Sequence, residues 1–270
     1  MMEMNEMKKT LNRLLYVVDD QFDFVMKDGK LPVPDAEDII EPTNAFFKAL
    51  KPTDFDEAIF TYDTHFIDEY TRSPEAELFP LHCEYGTKGW ELVVDDLEVS
   101  RKIKTYYMTK NTFDAFGDNP LRADANIAFA GGLEKKVYNN LRIVTTDRKC
   151  VDAGLARDAY FERVNEQTEV CVTGVASDYC VHDAMLGLLK RGASVVVLSD
   201  LVKGIGTPVE GRAPSGKIED VLKLDVFKPF VEAGKLNVMT SKEYLAKLDN
   251  EQKQKPKPKR RRASGWAFKF

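Results

Sequence analysis

The chain has no hydrophobic run long enough to span a membrane and no dense pattern of cysteines. None of its apolar stretches approaches the roughly 18 to 20 residues that cross a bilayer. The opening MMEMNEMKKTLNR contains acidic residues and lacks the apolar block of a signal peptide. The four cysteines lie far apart, which argues against a disulfide framework and favours reduced thiols. We therefore expect a cytoplasmic protein in which a thiol is free for chemistry.

Acidic residues outnumber basic ones outside the C-terminal end. The formal net charge is −5, but residues 253–270 contain eight basic residues and no acidic one. Removing those eight charges leaves −13 for residues 1–252, and so acidic a body would repel a polyanion. This argues against nucleic-acid binding, except weakly through the basic end. Because Lys alternates with Pro there, we expect 253–270 to be a flexible, disordered tail.

Short apolar, β-branched runs alternate with segments of helical spacing. With 43% hydrophobic and 31% charged residues, the composition is that of a globular protein. Six runs predict strands: 14–18, 57–62, 105–109, 169–175, 194–199 and 235–240. Four segments predict helices, with Gly192 and Gly234 as stops: 35–50, 179–192, 217–234 and 241–252. This alternation predicts an α/β fold, in which helices cover both faces of a mainly parallel sheet and ligands bind at the carboxyl ends of the strands.

The stretch from about 117 to 168 interrupts this alternation. Residues 117–132 have a loop-like composition, 133–141 have the pattern of a short helix, and 141–149 have that of an extra strand. We therefore interpret about 117–168 as an insertion within a single domain that covers residues 1–252.

A carboxylate, an amine and a thiol stand at the ends of three predicted strands. Considered separately, each residue has an ordinary interpretation: Asp19 as a turn acid, Lys110 as a solvated lysine and Cys180 as a buried apolar residue. A parallel sheet brings all three to one edge, which favours a catalytic interpretation. Lys110 and a helix start would lower the pKa of the Cys180 thiol, and Asp19 would carry the proton between the thiol and a leaving amine. Backbone N–H groups around Ala176 and Cys180 would hold an oxyanion.

Two rival assignments arise from neighbouring residues. Cys180 could pair with His182, but positions two apart on a helix do not face each other. Asp20 could replace Asp19, but alternation places Asp19 on the same face as Gln21 and Asp20 on the other. We therefore expect Asp19 to be the catalytic acid and His182 to have a packing or surface role.

Acidic residues and histidines cluster after the second predicted strand. Asp63 and His65 are two apart in an extended chain, so their side chains project to the same side, and Glu75 and His82 follow. The ordinary interpretation is a capping acid and two loop histidines. The thiol predicted next to them favours a site for one divalent metal ion, and imidazole and carboxylate ligands suit zinc first, or manganese or iron.

The sequence resembles the nicotinamidase and pyrazinamidase branch of the isochorismatase-like cysteine hydrolases over most of residues 13–245. The resemblance rests on D-x-Q-x-D-F at 19–24, Asp63 and His65, Glu75 with LFPLHCEYGTKGWEL at 78–92, Lys110 with Phe113 and Phe116, and GVASDYCV at 174–181. It implies a three-layer α-β-α fold with a six-stranded parallel sheet. It also implies a catalytic triad of Asp19, Lys110 and Cys180, and a cis peptide bond before Ala176.

The resemblance further implies a substrate and a reaction. A metal ion bound by Asp63, His65, Glu75 and His82 would hold the pyridine nitrogen of nicotinamide. The aromatic residues that would sandwich the ring are Phe24, Phe79 and Phe113. Through a thioester, the enzyme would release ammonia and nicotinic acid for NAD salvage. A homo-oligomer is compatible with this interpretation.

Two other functions and the role of the insertion stay open. Within the superfamily, the alternative is a hydrolase that acts on another amide or a vinyl ether and generally lacks this metal set. From a different class, the alternative is a binding protein on a retained hydrolase fold. Lys110 and Cys180 are 70 positions apart, a noticeably longer interval than in relatives, so the insertion would cover the site, form an interface or change the substrate.

Overall fold

A computed structural model describes residues 11–117, 140–144, 150–206 and 209–254. The predicted loop at 117–132, apart from Gly117, lies outside the described residues, as does the tail from residue 255 onward.

A single mixed sheet forms the centre of the described part of the chain. Its eight strands are β1 (Arg13–Val18), β2 (Glu57–Asp63), β3 (Lys104–Lys110), β4 (Asn140–Val144), β5 (Cys150–Ala156), β6 (Glu169–Val175), β7 (Ser194–Lys203) and β8 (Leu236–Met239). They are arranged in the order β5-β4-β3-β2-β1-β6-β7-β8. The six predicted strands pair in parallel, as expected. The insertion adds β4 and β5, which pair antiparallel beside β3 and make β5 the outermost strand on that side of the sheet.

Along the chain, helices lie between the parallel strands of the sheet. The described α-helices are α1 (Phe22–Val25), α2 (Ile40–Ala49), α3 (Ile67–Tyr70), α4 (Leu97–Ser100), α5 (Arg157–Phe161), α6 (Cys180–Lys190), α7 (Ile218–Val221), α8 (Lys228–Glu232) and α9 (Ser241–Gln254). Short 3₁₀ helices occupy Ala36–Ile39, Pro74–Glu77 and Lys88–Trp90. Gly192 and Gly234 follow the last turns of α6 and α8, which confirms them as stops. None of the helices among the described residues combines the length and the apolarity needed to cross a membrane.

Three segments differ from their predictions. The helical spacing at 217–234 divides into α7 and α8, because Pro229 has no N–H to donate and is accommodated only in the first turn of a new helix. Residues 140 and 141 of the predicted short helix belong to β4, and 133–139 lie outside the described residues. Helix α9 continues two residues beyond the predicted boundary at 252.

Alternating side chains of the central strand build a core on each face of the sheet. Tyr16 of β1 packs in one core with Met185 of α6. Val17, its neighbour in the strand, packs in the other core with Phe47 of α2. Because successive residues of a strand point to opposite faces, this pattern produces the predicted three-layer α-β-α arrangement. The parallel strands end at one edge, and the candidate site lies there.

Candidate active site and metal centre

The structure brings Asp19, Lys110 and Cys180 together at the carboxyl edge of the sheet. The ammonium Nζ of Lys110 lies 2.6 Å from Oδ2 of Asp19 and 3.4 Å from Sγ of Cys180. The three residues are at most 4% exposed. Lys110 therefore connects the acid and the thiol by direct polar contacts in a site that excludes bulk water.

Each of the three groups is positioned by the end of a regular element. Asp19 follows β1 in a left-handed conformation (φ 49°), which aspartate tolerates better than most residues. Lys110 is the last residue of β3, and Cys180 is the first residue of α6. The hydroxyl of Thr61 donates a 2.5 Å hydrogen bond to Oδ1 of Asp19. Thr61 was not singled out in the sequence, although its position two residues before Asp63 places both on the same side of β2.

Burial and neighbouring charges together set the pKa values of these three groups. It raises the pKa of the Cys180 thiol well above its ordinary value, and the charge of Lys110 opposes this shift. The predicted lowered pKa is therefore wrong in net direction, although Lys110 acts with the predicted sign. Burial also raises the pKa of Asp19, against the effect of Lys110. Burial alone would lower the pKa of Lys110, but the carboxylates of Asp19 and Asp63 outweigh it and raise the pKa.

A tight loop joins β6 to the helix that begins with Cys180. The peptide bond between Val175 and Ala176 is cis, as predicted. The carbonyl of Ala176 accepts hydrogen bonds from the N–H groups of Tyr179 and Val181. The carboxylate of Asp178 accepts further bonds from two N–H groups of the loop after β7. The predicted oxyanion-binding positions, Ala176 and Cys180, thus lie on backbone that is fixed from both sides.

The four predicted metal ligands form one buried cluster. Asp63 is the last residue of β2, His65 lies two residues beyond it, Glu75 is in a 3₁₀ turn, and His82 lies in the following loop. One ligand atom from each lies within 4.8 Å of the others. Oδ2 of Asp63 is 3.0 Å from Nε2 of His65 and 3.1 Å from Nε2 of His82. None of the four residues is more than 6% exposed.

The chemistry of this cluster fits a divalent cation. Nδ1 of His82 lies 2.7 Å from the carbonyl oxygen of Pro80, which fixes the proton there and directs Nε2 toward Asp63 and Glu75. Burial lowers the pKa of His82, but hydrogen bonds to the two carboxylates raise it to about 10. The cluster therefore stabilises positive charge, and its two imidazoles and two carboxylates match the ligands of zinc sites.

One direct contact joins the metal-ligand cluster to the Asp19–Lys110–Cys180 group, and Gln21, two residues after Asp19, binds the backbone of the cluster's Asp63. Oδ1 of Asp63 lies 3.4 Å from Nζ of Lys110. The amide of Gln21 accepts a hydrogen bond from the N–H of Asp63 and donates one to its carbonyl oxygen, at 2.7 and 2.9 Å. Gln21 belonged to the first sequence motif without an assigned role, and the structure shows that it holds the end of β2. The two groups therefore form one continuous site.

Aromatic side chains border the site on two sides. The ring of Phe24 lies 5.0 Å from that of His82, on the side of the metal-ligand cluster. Phe79 and Phe113 lie 6.0 Å apart, and both contact the ring of Tyr179. All three predicted aromatic residues therefore belong to one apolar cluster, which also contains Ala176 and Tyr179 next to Cys180. Tyr179 was missed, although its position directly before Cys180 is the signal that places it here.

The rival residues have other surroundings. Nδ1 of His182 lies 2.7 Å from the carboxylate of Asp183, and its ring packs against Phe227. The structure therefore does not place it as the partner of Cys180. Among the described residues, the carboxylate of Asp20 has no hydrogen-bond partner, and burial raises its pKa well above the ordinary value. Of the two adjacent acids, Asp19 is the one that contacts Lys110, as alternation predicted.

Comparisons with known proteins identify the fold. No family model matches the sequence, and no curated protein sequence matches it. Among solved structures, a pyrazinamidase of Pyrococcus horikoshii in complex with zinc is 23% identical, with a TM-score of 0.51 over 85% of this chain and 99% of that one. The yeast nicotinamidase bound to the inhibitor nicotinaldehyde is 22% identical, with a TM-score of 0.52 over 84% and 99%.

The protein PnC1 of L. infantum, in complex with nicotinate, is 19% identical, with a TM-score of 0.50 over 87% of this chain and 94% of that one. These likenesses span nearly the whole of each solved protein at low sequence identity. The chain therefore has the fold of the solved nicotinamidases and pyrazinamidases.

Proposed function

We propose that the protein is a nicotinamidase, a metal-assisted cysteine hydrolase that converts nicotinamide to nicotinic acid and ammonia. The observation that carries this proposal is the position of Lys110. Its ammonium group contacts Asp19, Cys180 and Asp63, and so links an acid and a nucleophile to the metal-ligand cluster. A hydrolase that needs no metal would have no use for four buried ligands beside its thiol.

The chain's own residues support each step of an amide hydrolysis. Cys180 attacks the carboxamide carbon as a thiolate, which Lys110 stabilises at 3.4 Å. Asp19 takes the thiol proton and gives it to the departing ammonia, and burial raises its pKa in the direction that favours proton uptake. Backbone N–H groups of Ala176 and Cys180 would hold the oxyanion. Water then hydrolyses the thioester, with Asp19 as the base, and nicotinic acid leaves.

The four-ligand cluster and the aromatic residues are assigned to substrate binding. A divalent ion, zinc first and manganese or iron as alternatives, would be held by Asp63, His65, Glu75 and His82 and would supply a Lewis acid for the pyridine nitrogen. Phe24, Phe79 and Phe113 would contact the ring. The zinc, nicotinate and nicotinaldehyde in the similar structures are compatible with this assignment.

The proposal includes a cellular role and a domain assignment. Residues 1–252 form the hydrolase domain, with an insertion at about 117–168, and residues 253–270 form a basic tail. The small-molecule partner is nicotinamide, and the product enters NAD salvage in the cytoplasm. The proposed enzyme can function as a monomer or as a homo-oligomer.

A substrate panel tests the proposal. The purified full-length chain, loaded with zinc, manganese or iron, is assayed on nicotinamide, pyrazinamide, an N-carbamoyl amine and a vinyl ether. We expect ammonia release from the two aromatic amides, dependent on the metal. Turnover of the N-carbamoyl compound or the vinyl ether alone would contradict the proposal and favour the alternative hydrolase.

A further inference from the structure

A short loop connects the end of β3 to the insertion, and it carries one of the site's aromatic residues. We call residues 111–117 the aromatic loop. Phe113 of this loop lies three residues beyond Lys110 and packs against Phe79 and Tyr179 at the site. The position of its ring therefore depends on how firmly the aromatic loop is held.

The buried guanidinium group of Arg157, a residue of the insertion, binds the aromatic loop. Nη1 of Arg157, in the first turn of α5, donates hydrogen bonds to the carbonyl oxygens of Ala115 and Gly117 at 2.9 and 3.2 Å. The side chain of Arg157 is only 6% exposed, whereas its acidic partner, Asp158, is 74% exposed. The two loop carbonyls are therefore the less exposed partners of this charge, and bonds from a charged donor are stronger than neutral ones.

A second contact between the same helix and the same loop supports this role. The ring of Phe161 lies 4.8 Å from that of Phe116, at an interplanar angle of 88°. Arg157 and Phe161 are four positions apart, so they share one face of α5. The insertion thus contacts the aromatic loop through a polar residue and an apolar residue that flank the same helical turn.

We propose that Arg157 is a positioning residue for substrate binding. It fixes the aromatic loop so that the ring of Phe113 contacts the ring of the substrate. The inference rests on the proposed function, and it gives the insertion a role in binding the aromatic substrate. Arg157 does not contact the reacting atoms. Its loss should therefore weaken binding more than it slows the chemical step.

Kinetics of three variants test the inference. We expect Arg157→Met, which keeps the length of the side chain but removes its donors, to raise KM for nicotinamide about tenfold. We expect kcat to stay within about threefold, because the contacts of Lys110 and Cys180 are unchanged. Arg157→Lys should recover part of the loss, since an ammonium group also donates to carbonyl oxygens.

A matched control separates positioning from general stability. Arg163 belongs to the same insertion and pairs with both carboxylate oxygens of Glu57 at 3.1 Å, at the amino end of β2 and away from the site. Arg163→Met should lower the melting temperature at least as much as Arg157→Met does, with KM unchanged. Equal effects of the two variants on KM would overturn the inference.

Hydrogen exchange provides a readout that does not need turnover. The amides of Phe116 and Gly117 donate to Asp114 within the loop, so their exchange reports its order. They should exchange faster in Arg157→Met than in the wild type, and at the wild-type rate in Arg163→Met. Unchanged exchange in Arg157→Met would overturn the inference. If the wild type does not hydrolyse nicotinamide, the proposed function fails, and exchange alone decides whether Arg157 holds the loop.

Discussion

Replacing Lys110 by Met removes the ammonium group that contacts the thiol of Cys180 and the carboxylates of Asp19 and Asp63. In the wild type, Nζ lies 3.4 Å from Sγ of Cys180, 2.6 Å from Asp19 and 3.4 Å from Asp63. Burial already raises the pKa of the Cys180 thiol, and Lys110 opposes that shift. The substitution should therefore raise the pKa of the thiol further and reduce the thiolate fraction at neutral pH.

The distance sets an upper bound on the effect. Two unit charges 3.4 Å apart interact by about 5 kcal/mol at an effective dielectric constant of about 20. Without Lys110, Asp19 and Asp63 would take up protons more readily. The loss of their negative charge would then offset part of the rise in the pKa of Cys180. We therefore expect the pKa of Cys180 to rise by at least about one unit, or about 1.4 kcal/mol. At any pH well below the wild-type pKa, this lowers the thiolate fraction about tenfold or more.

Alkylation of Cys180 by iodoacetamide, followed by mass spectrometry of its peptide, measures this change. The rate in Lys110→Met should be about a tenth of the wild-type rate or less, from neutral pH up to pH 9. The control is Lys104→Met, because Lys104 begins the same strand at the opposite edge of the sheet. An unchanged rate in Lys110→Met, or an equal decrease in Lys104→Met, would refute the electrostatic argument.

Two further substitutions test the backbone of the site and the metal-ligand cluster. In Gly174→Ala, the new Cβ would lie 2.0 Å from the carbonyl oxygen of Val18 at a φ of +109°, so the free energy of unfolding in urea should fall by roughly 2 to 6 kcal/mol. In Gly211→Ala, φ is also positive but no atom lies within 4 Å of the new Cβ, so the free energy of unfolding should fall by only about 1 kcal/mol. Equal decreases in the two variants would contradict the role assigned to the close contact with Val18. His82→Ala should lower the amount of bound metal measured by elemental analysis. It should also slow nicotinamide turnover on the order of 100-fold, because a displacement of the nicotinamide ring by about 1 Å misplaces its carboxamide relative to Cys180. His182→Ala, outside the cluster, should keep the metal, and a wild-type protein without stoichiometric metal would refute the site.

The sequence was sufficient to predict the parallel part of the sheet and the residues that meet at its edge. The central strands are apolar on both faces, so they appear as continuous runs, and the fully buried stretch from Leu14 to Val17 is an example. Because parallel strands end at one edge, Asp19, Lys110 and Cys180 could be placed together before any distance was known. Alternation also selected Asp19 over Asp20.

Features that depend on contacts between distant segments could not be predicted. Strand β5 is stabilised by pairing with β4 at the edge of the sheet, and its own sequence has no clear alternation. The contacts of Gln21 with the backbone of Asp63 become visible only when the two loops are in place. The raised pKa of Cys180 follows from complete burial among carboxylates, which helix position and one nearby lysine do not reveal.

Cys180 is the proposed nucleophile in the hydrolysis of nicotinamide. Wild-type protein and Cys180→Ala, purified side by side and loaded with the same metal, can be compared by chromatographic measurement of nicotinic acid together with ammonia. The two proteins should show the same circular dichroism spectrum, since Ala is well accommodated at the start of a helix. We predict equal amounts of nicotinic acid and ammonia from the wild type and none above background from Cys180→Ala. Nicotinic acid formation by the variant at the wild-type rate would contradict the account.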